Sequence, residues 1–229
     1  MMKKSNAIVV FWGLMVLLMV TPAFAEDTGQ PEMFEKTYGE WSANWWQWLE
    51  SQDFTPLTKQ GKVDCSAGQL GLVWFLAGSD GTGPVERKCT VPSGKPLFFP
   101  LVNAEFNNVP GESTCADGQL GGPCTEAEKR EILDGIMSDN TPGIFNSRVC
   151  NLDSTVDGMP TLFSNFATAR TQSPPFSFLG DTETVSDGIW VMLSLPEGKH
   201  TLHFKGALCD LDTNIPIFEV DVTYKLTVK

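Results

Sequence analysis

The sequence predicts a mainly β protein: an antiparallel β-sandwich, jelly-roll-like, with an N-terminal aromatic helix and one short additional helix. Three observations lead to it. From Ile144 onward, short β-favouring segments recur between turn signals at Asp157-Gly158, Pro174-Pro175, Asp187-Gly188 and Glu197-Gly198. The last segment sets Phe218, Val220, Val222, Tyr224, Leu226 and Val228 on one face and Glu219, Asp221, Thr223, Lys225 and Thr227 on the other, the alternation of a strand with one dry and one wet side. Six cysteines, an even number, supply staples for such a sandwich.

The chain opens with Lys3 and Lys4, an apolar stretch from Ala7 to Val20, and Ala23-Phe24-Ala25 in an A-x-A arrangement, so residues 1–25 read as a secretory signal peptide. Cleavage leaves 204 residues (229 − 25), enough for a single disulfide-stapled β-rich domain over 26–229. With Lys3 and Lys4 removed, 14 basic residues face 28 acidic ones, a net charge of −14. A balance that acidic argues against nucleic acid and anionic lipid as partners, because both require cationic patches. No membrane span is expected after signal cleavage, and the location expected is periplasmic or secreted.

Residues 26–32 are polar, and the first element begins near Met33. Phe34, Tyr38, Trp41, Trp45 and Trp48 are spaced 4, 3, 4 and 3 apart, which at about 100° per residue gathers them within an arc of about 80° on one helix face. That face is expected to lie on the sheet as core. Trp46 points away from the arc, next to Asn44 and Gln47, where its indole would either be exposed to stack on a sugar or a partner, or make a second contact with the loop after the helix.

Two apolar runs form the expected heart of the sheet. Gln69 to Ala77 and Lys95 to Asn103 are each too short for a membrane helix and are bounded by Gly and Pro, so both read as strands buried on two faces. Cys65 precedes the first and Cys89 the second, which favours a Cys65–Cys89 bridge. Cys115 and Cys124 close a short Gly/Pro loop, leaving Cys150 with Cys209, although six cysteines formally allow fifteen pairings. Thr125-Glu126-Ala127-Glu128 is a capping box, and Ile132, Leu133, Ile136 and Met137 follow as the stripe of a short, peripheral helix ending near Asn140. Ile189 to Leu193 and His200 to Lys205, with a short turn between them, resemble a β-hairpin.

Trp45-Trp-Gln-Trp-Leu49, Gly68-Gln-Leu-Gly-Leu-Val-Trp-Phe-Leu-Ala-Gly78, Cys89-Thr-Val-Pro-Ser-Gly-Lys-Pro-Leu-Phe-Phe-Pro100 and Gly198-Lys-His-Thr-Leu-His-Phe204 together resemble a group of secreted bacterial proteins to which no activity is assigned. The likeness covers most of the chain after residue 25. It implies a common fold and an exported location, and carries over no catalytic or binding residue.

Reaction chemistry is sparsely signalled. His200 and His203 are an odd number of positions apart, so a strand sends them to opposite faces and they do not chelate one metal together. No Gly-x-Ser-x-Gly elbow is present, and paired cysteines leave no thiolate. No cofactor is expected. The one cation candidate is a structural calcium at Asp210, Asp212 and Asn214, which have the opening spacing of a calcium loop, but Ile215 and Pro216 stand where such a loop needs its glycine. Trp46, Asn103, Glu105 and Asn107 are the candidate ligand-binding residues, and Glu105 with an opposed Asp would be the catalytic pair of a carboxylate-based carbohydrate-active enzyme. The role expected first is binding, without turnover, of a glycan or envelope protein.

Overall fold

The computed structural model of the chain describes residues 34–108, 115, 123–138, 146–161 and 170–229. The signal peptide expected at 1–25, the polar stretch after it and most of the loop between Asn108 and Pro123 lie outside the described residues. In chain order the elements are α1 (Tyr38–Ser51), α2 (Thr55–Thr58), β1 (Gly61–Lys62), β2 (Trp74–Phe75), β3 (Val85–Val91), β4 (Leu97–Phe106), α3 (Glu126–Met137), β5 (Ser147–Val156), β6 (Met159–Pro160), β7 (Arg170–Gln172), β8 (Phe176–Phe178), β9 (Asp181–Leu193), β10 (Gly198–Asp210) and β11 (Pro216–Val228).

These strands make a mainly β, sandwich-like fold of two mixed sheets. One runs β1-β3-β11-β10-β5-β6; the other runs β2-β4-β9-β7, with β8 also on β9. Most pairs are antiparallel, but β1–β3, β3–β11 and β2–β4 are parallel. Leu97, Phe99, Leu101, Ile189 and Val191 of one sheet meet Leu202, Phe204, Val220, Val222, Tyr224 and Leu226 of the other, forming the main core. On the far side of the β4–β9 sheet, Trp41, Trp45 and Trp48 of α1 pack on Phe75, Phe98, Trp190 and Met192. The molecule is therefore three layers deep: sheet, sheet and helix. This explains why β4 reads as a continuous apolar run, since both its faces are dry from Leu97 to Val102.

Helix α1 starts where Thr37 caps it: Glu40 N–H donates to the Thr37 hydroxyl, and Thr37 N–H donates to the Glu40 carboxylate, a full capping box. Phe34 lies before this cap with φ of 56° and is exposed, so the expected aromatic stripe loses its first member. Helix α3 has the same box at Thr125 and Glu128. It is not peripheral. Ile132, Leu133 and Met137 are buried, the helix lies against β9 and β5, and Arg170 ties it to the sheet by bonding Asp134 at 2.8 Å and Asp187 at 2.6 Å.

Two strand assignments need correction. Only Trp74 and Phe75 of the Gln69–Ala77 run join a ladder, and Leu70 and Leu72 are 83% and 50% exposed. Gln69 explains why: its side-chain amide donates to Phe75 O at 2.8 Å and accepts from Phe75 N–H at 2.9 Å, taking the position a further strand would hold. A side chain thereby closes the sheet edge. The supposed hairpin of Ile189–Leu193 and His200–Lys205 is instead a crossing between sheets, for β9 pairs with β4 and β7 whereas β10 pairs with β11 and β5. The short turn is the same; the chain simply passes from one layer to the other.

The three disulfides join the expected partners: Cys65–Cys89, Cys115–Cys124 and Cys150–Cys209, with Cα separations of 5.8, 5.3 and 6.0 Å. Cys89, however, sits within β3 rather than ahead of β4, so this bridge anchors the segment before β2 to the six-stranded sheet. Three disulfides fit an oxidising compartment.

Candidate functional site

Glu105 and Asn103 alternate along β4 and face the same way, opposite Ser186 and Gly188 of β9. Glu105 Oε2 and Asn103 Nδ2 are buried without a hydrogen-bond partner, as is Thr184 Oγ1 on the neighbouring stretch of β9. Burial pushes the Glu105 carboxyl up to about 7, and the charge on Asp181 pushes the same way while Lys129 opposes it. Lys129, from α3, is wholly buried and donates to Asp181 Oδ2 at 2.8 Å and to Glu183 O at 2.7 Å. The charge that acts on Glu105 is that of Asp181, whose own carboxyl the bond from Lys129 helps to hold below its ordinary range. Asn108, not Asn107, is the asparagine built into this end of β4. Its N–H donates to Asp181 at 2.8 Å and its side-chain oxygen accepts from Cys124 N–H at 2.8 Å. Asn107 is half-buried and takes no part in those bonds.

The Glu105 carboxyl holds its proton more tightly folded, at about 7, than at its ordinary 4.5. Its contribution to stability is therefore fullest below 4.5 and is lost as the pH rises towards 7. Glu105→Gln should flatten that slope and stabilise the fold at neutral pH by on the order of 2 kcal/mol. Denaturant midpoints of the two proteins measured across this range check it, and parallel curves would show that the carboxyl is not held this way.

Trp46 is not the expected exposed platform. Its ring is half-buried, edge-on to Trp45 at 5.2 Å and to Phe178 at 5.4 Å, and its indole nitrogen is buried. Strand β8 and Phe54 cover the side of α1 that periodicity alone leaves open. Asp210, Asp212 and Asn214 are also otherwise engaged. Asp210 Oδ1 accepts from Asp212 N–H, Thr213 N–H and the Thr213 hydroxyl at 3.1, 2.8 and 2.8 Å, Asn146 donates to Asp212 at 2.8 Å, and Arg148 donates to Asn214 at 2.6 Å. These contacts describe a hydrogen-bonded hairpin loop, and they hold the Asp210 carboxyl below its ordinary range. Among the described residues no cluster of three His, Cys, Asp or Glu is arranged to hold a metal. His200 lies at the sheet margin against Asp157 and Pro196 O, at 2.8 and 3.0 Å.

The feature missed in sequence is a basic groove on the solvent face of the six-stranded sheet. Register places Lys62 of β1, Lys88 of β3, Lys225 of β11 and Thr201 of β10 in one row across four strands. The adjacent row is Thr90, Thr227 and Lys199. A cavity of about 540 Å³ lies over both rows, and a second of about 630 Å³ continues round the β1–β3 edge past Lys62, Lys88 and Thr90 to Asp64, Trp74 and Lys229. Five lysines and one aspartate line the two, in a chain whose acids outnumber its bases 28 to 16. The signal was present only in the strand order: the four lysines of the rows come from four separate strands, parallel pairing of β3 with β1 and β11 brings Lys62, Lys88 and Lys225 abreast, and antiparallel pairing of β10 with β11 adds Lys199 in the next row.

Fold and disulfides together define a stapled, three-layer β protein with one polar cluster under α3 and one basic groove on the opposite sheet. No family model matches the chain, and no curated protein or solved structure matches it.

Proposed function

We propose that the protein is an exported binder of a cell-envelope or extracellular polymer that works without turnover. The continuous groove along β1, β3, β11 and β10 carries this reading. It crosses four strands, and its lining of lysine and threonine side chains offers hydrogen-bond donors at strand spacing, about 4.8 Å apart. The three disulfides suit an exported protein, as does the A-x-A arrangement ending at Ala25. Titration of the chain from residue 26 with purified polysaccharides, followed by calorimetry, should give saturable binding with no change in polymer length. If no polymer binds, the proposal falls.

One observation favours a second reading. Glu105, partly accessible and pushed up to about 7 beside the ionised Asp181, has the protonation a general acid needs near neutral pH. A carbohydrate-active enzyme built on this pair would release reducing ends or unsaturated sugars from some polymer in the same panel, and Glu105→Gln should abolish the release. Turnover that survives this substitution would place the chemistry elsewhere.

A further inference from the structure

The charge pattern of the groove specifies its ligand further. We propose that the groove takes a polyanion, an acidic polysaccharide whose carboxylate or sulfate groups lie along the row Lys62, Lys88 and Lys225; this rests on the binder reading above.

Like charges directly opposite one another on a sheet are unfavourable, and here three lysines stand abreast on adjacent strands. Only Glu86 among the described residues pairs with one of them, bonding Lys225 at 2.8 Å. Among the described residues Lys62, Lys88 and Lys199 make no ion pair, although acids are in twofold excess over the whole chain after residue 25. The other acids near the groove are occupied. Asp64 accepts from Ser66 N–H and hydroxyl at 2.9 and 2.6 Å, and Asp157 binds His200 and Thr201 N–H, both at 2.8 Å. Elsewhere on the same sheet the usual neutralisation returns: Lys205 sits between Glu219 and Asp221 at 3.0 and 3.5 Å. Lys36, Lys59 and Lys95 likewise make no ion pair among the described residues; what sets the groove apart is that its lysines stand side by side on adjacent strands.

An anionic chain laid across the strands would bring one charge to each lysine, while Thr90, Thr201 and Thr227 offer hydroxyls between them. That combination fits a sugar polymer better than a nucleic acid, for no exposed aromatic ring lines the sheet-face cavity for bases to stack on.

The test compares polygalacturonate, dextran sulfate, neutral dextran and phosphatidylglycerol vesicles as probes of the chain from residue 26. Binding of an acidic polymer that weakens steadily with salt, with neutral dextran unbound, is expected. The double variant Lys62→Glu, Lys88→Glu should weaken it by about tenfold or more. Because reversal at both 62 and 88 sets two like charges opposite each other again, the double variant Lys62→Gln, Lys88→Gln is tested beside it. It removes the repulsion around Lys225, should melt no lower than the parent and should also weaken binding, so lost binding would not mean lost fold. The same charge change at Lys36, on the helix layer, should leave affinity within about twofold. Neutral dextran bound equally well by parent and double variant would overturn the polyanion and leave the binder. Vesicles bound with no soluble polymer would overturn it in favour of a lipid surface. No binding to any probe would remove both.

Discussion

Replacing Arg87 with methionine is expected to lower the stability of the fold by about 3–5 kcal/mol. Arg87 points inward from β3 and is 1% exposed. Its guanidinium donates to the carbonyls of Ala77 and Gly78 at 2.9 and 2.8 Å, to Lys59 O at 2.8 Å, to Leu57 O at 2.9 Å and to the Tyr224 hydroxyl at 2.9 Å. Among the described residues it makes no ion pair; carbonyl dipoles and the Tyr224 ring, 5.4 Å from the guanidinium carbon, stabilise the charge instead. One side chain thus fastens the α2 segment, the connection after β2 and the central strand β11. Methionine keeps the apolar stem but leaves four carbonyls without that donor, at about 1–3 kcal/mol for each left unsatisfied and less where water reaches it. Denaturant midpoints decide the matter, with Tyr224→Phe as comparison, since that change removes one hydroxyl, which accepts from Ala77 N–H at 3.2 Å and donates to Ala77 O at 3.0 Å, and should cost less, about 1–3 kcal/mol. Equal losses in the two variants would show that Arg87 does not bind these segments together.

The second large effect is expected at Trp45, where truncation to alanine should cost about 3–5 kcal/mol. Trp45 is 1% exposed, lies edge-on to Trp190 at 5.4 Å, touches Trp48 and Trp46, and donates its indole N–H to Leu76 O at 2.9 Å. Its loss would hollow the contact between α1 and the β4–β9 sheet and orphan a carbonyl beside β2. Trp46→Ala should cost less, about 1–3 kcal/mol, because its ring keeps some solvent contact and its nitrogen has no bond to lose. Chemical denaturation of both variants checks the order. A larger loss at Trp46 would mean that β8, rather than the sheet, carries the helix.

Much of this architecture is legible in the sequence because local rules dominate locally. Capping boxes at Thr37 and Thr125, the alternation of β11 and the double-sided burial of β4 follow from spacing alone. What spacing does not contain is the partner of each strand. Ile189–Leu193 and His200–Lys205 look the same whether they pair with each other or lie in facing sheets, because each shows one face to the same core. Leu70 and Leu72 extend an apolar run that a glutamine side chain has already closed. Trp46 is covered by Phe178, which no helical period could reveal. The same limit governs the sites. Glu105 stands out once an acid is sought at the end of β4, yet its raised affinity for a proton comes from Asp181 and burial contributed by other segments. The lysine groove was hidden for a different reason: a net charge sums over the surface and erases segregation on it.

The position of β11 has a consequence for how the molecule assembles. The last of the described strands in sequence lies between β3 and β10, with Val222 paired to Val85 on one side and to Phe204 on the other. The β1–β3 pair therefore has no way to join the rest of the six-stranded sheet until β11 is in place. Hairpins such as β10–β11 form locally and quickly, whereas closing β11 onto β3 must first overcome the entropy of a very long loop. Assembly of this sheet should accordingly wait for β11, with the lysine row completed only when that strand docks.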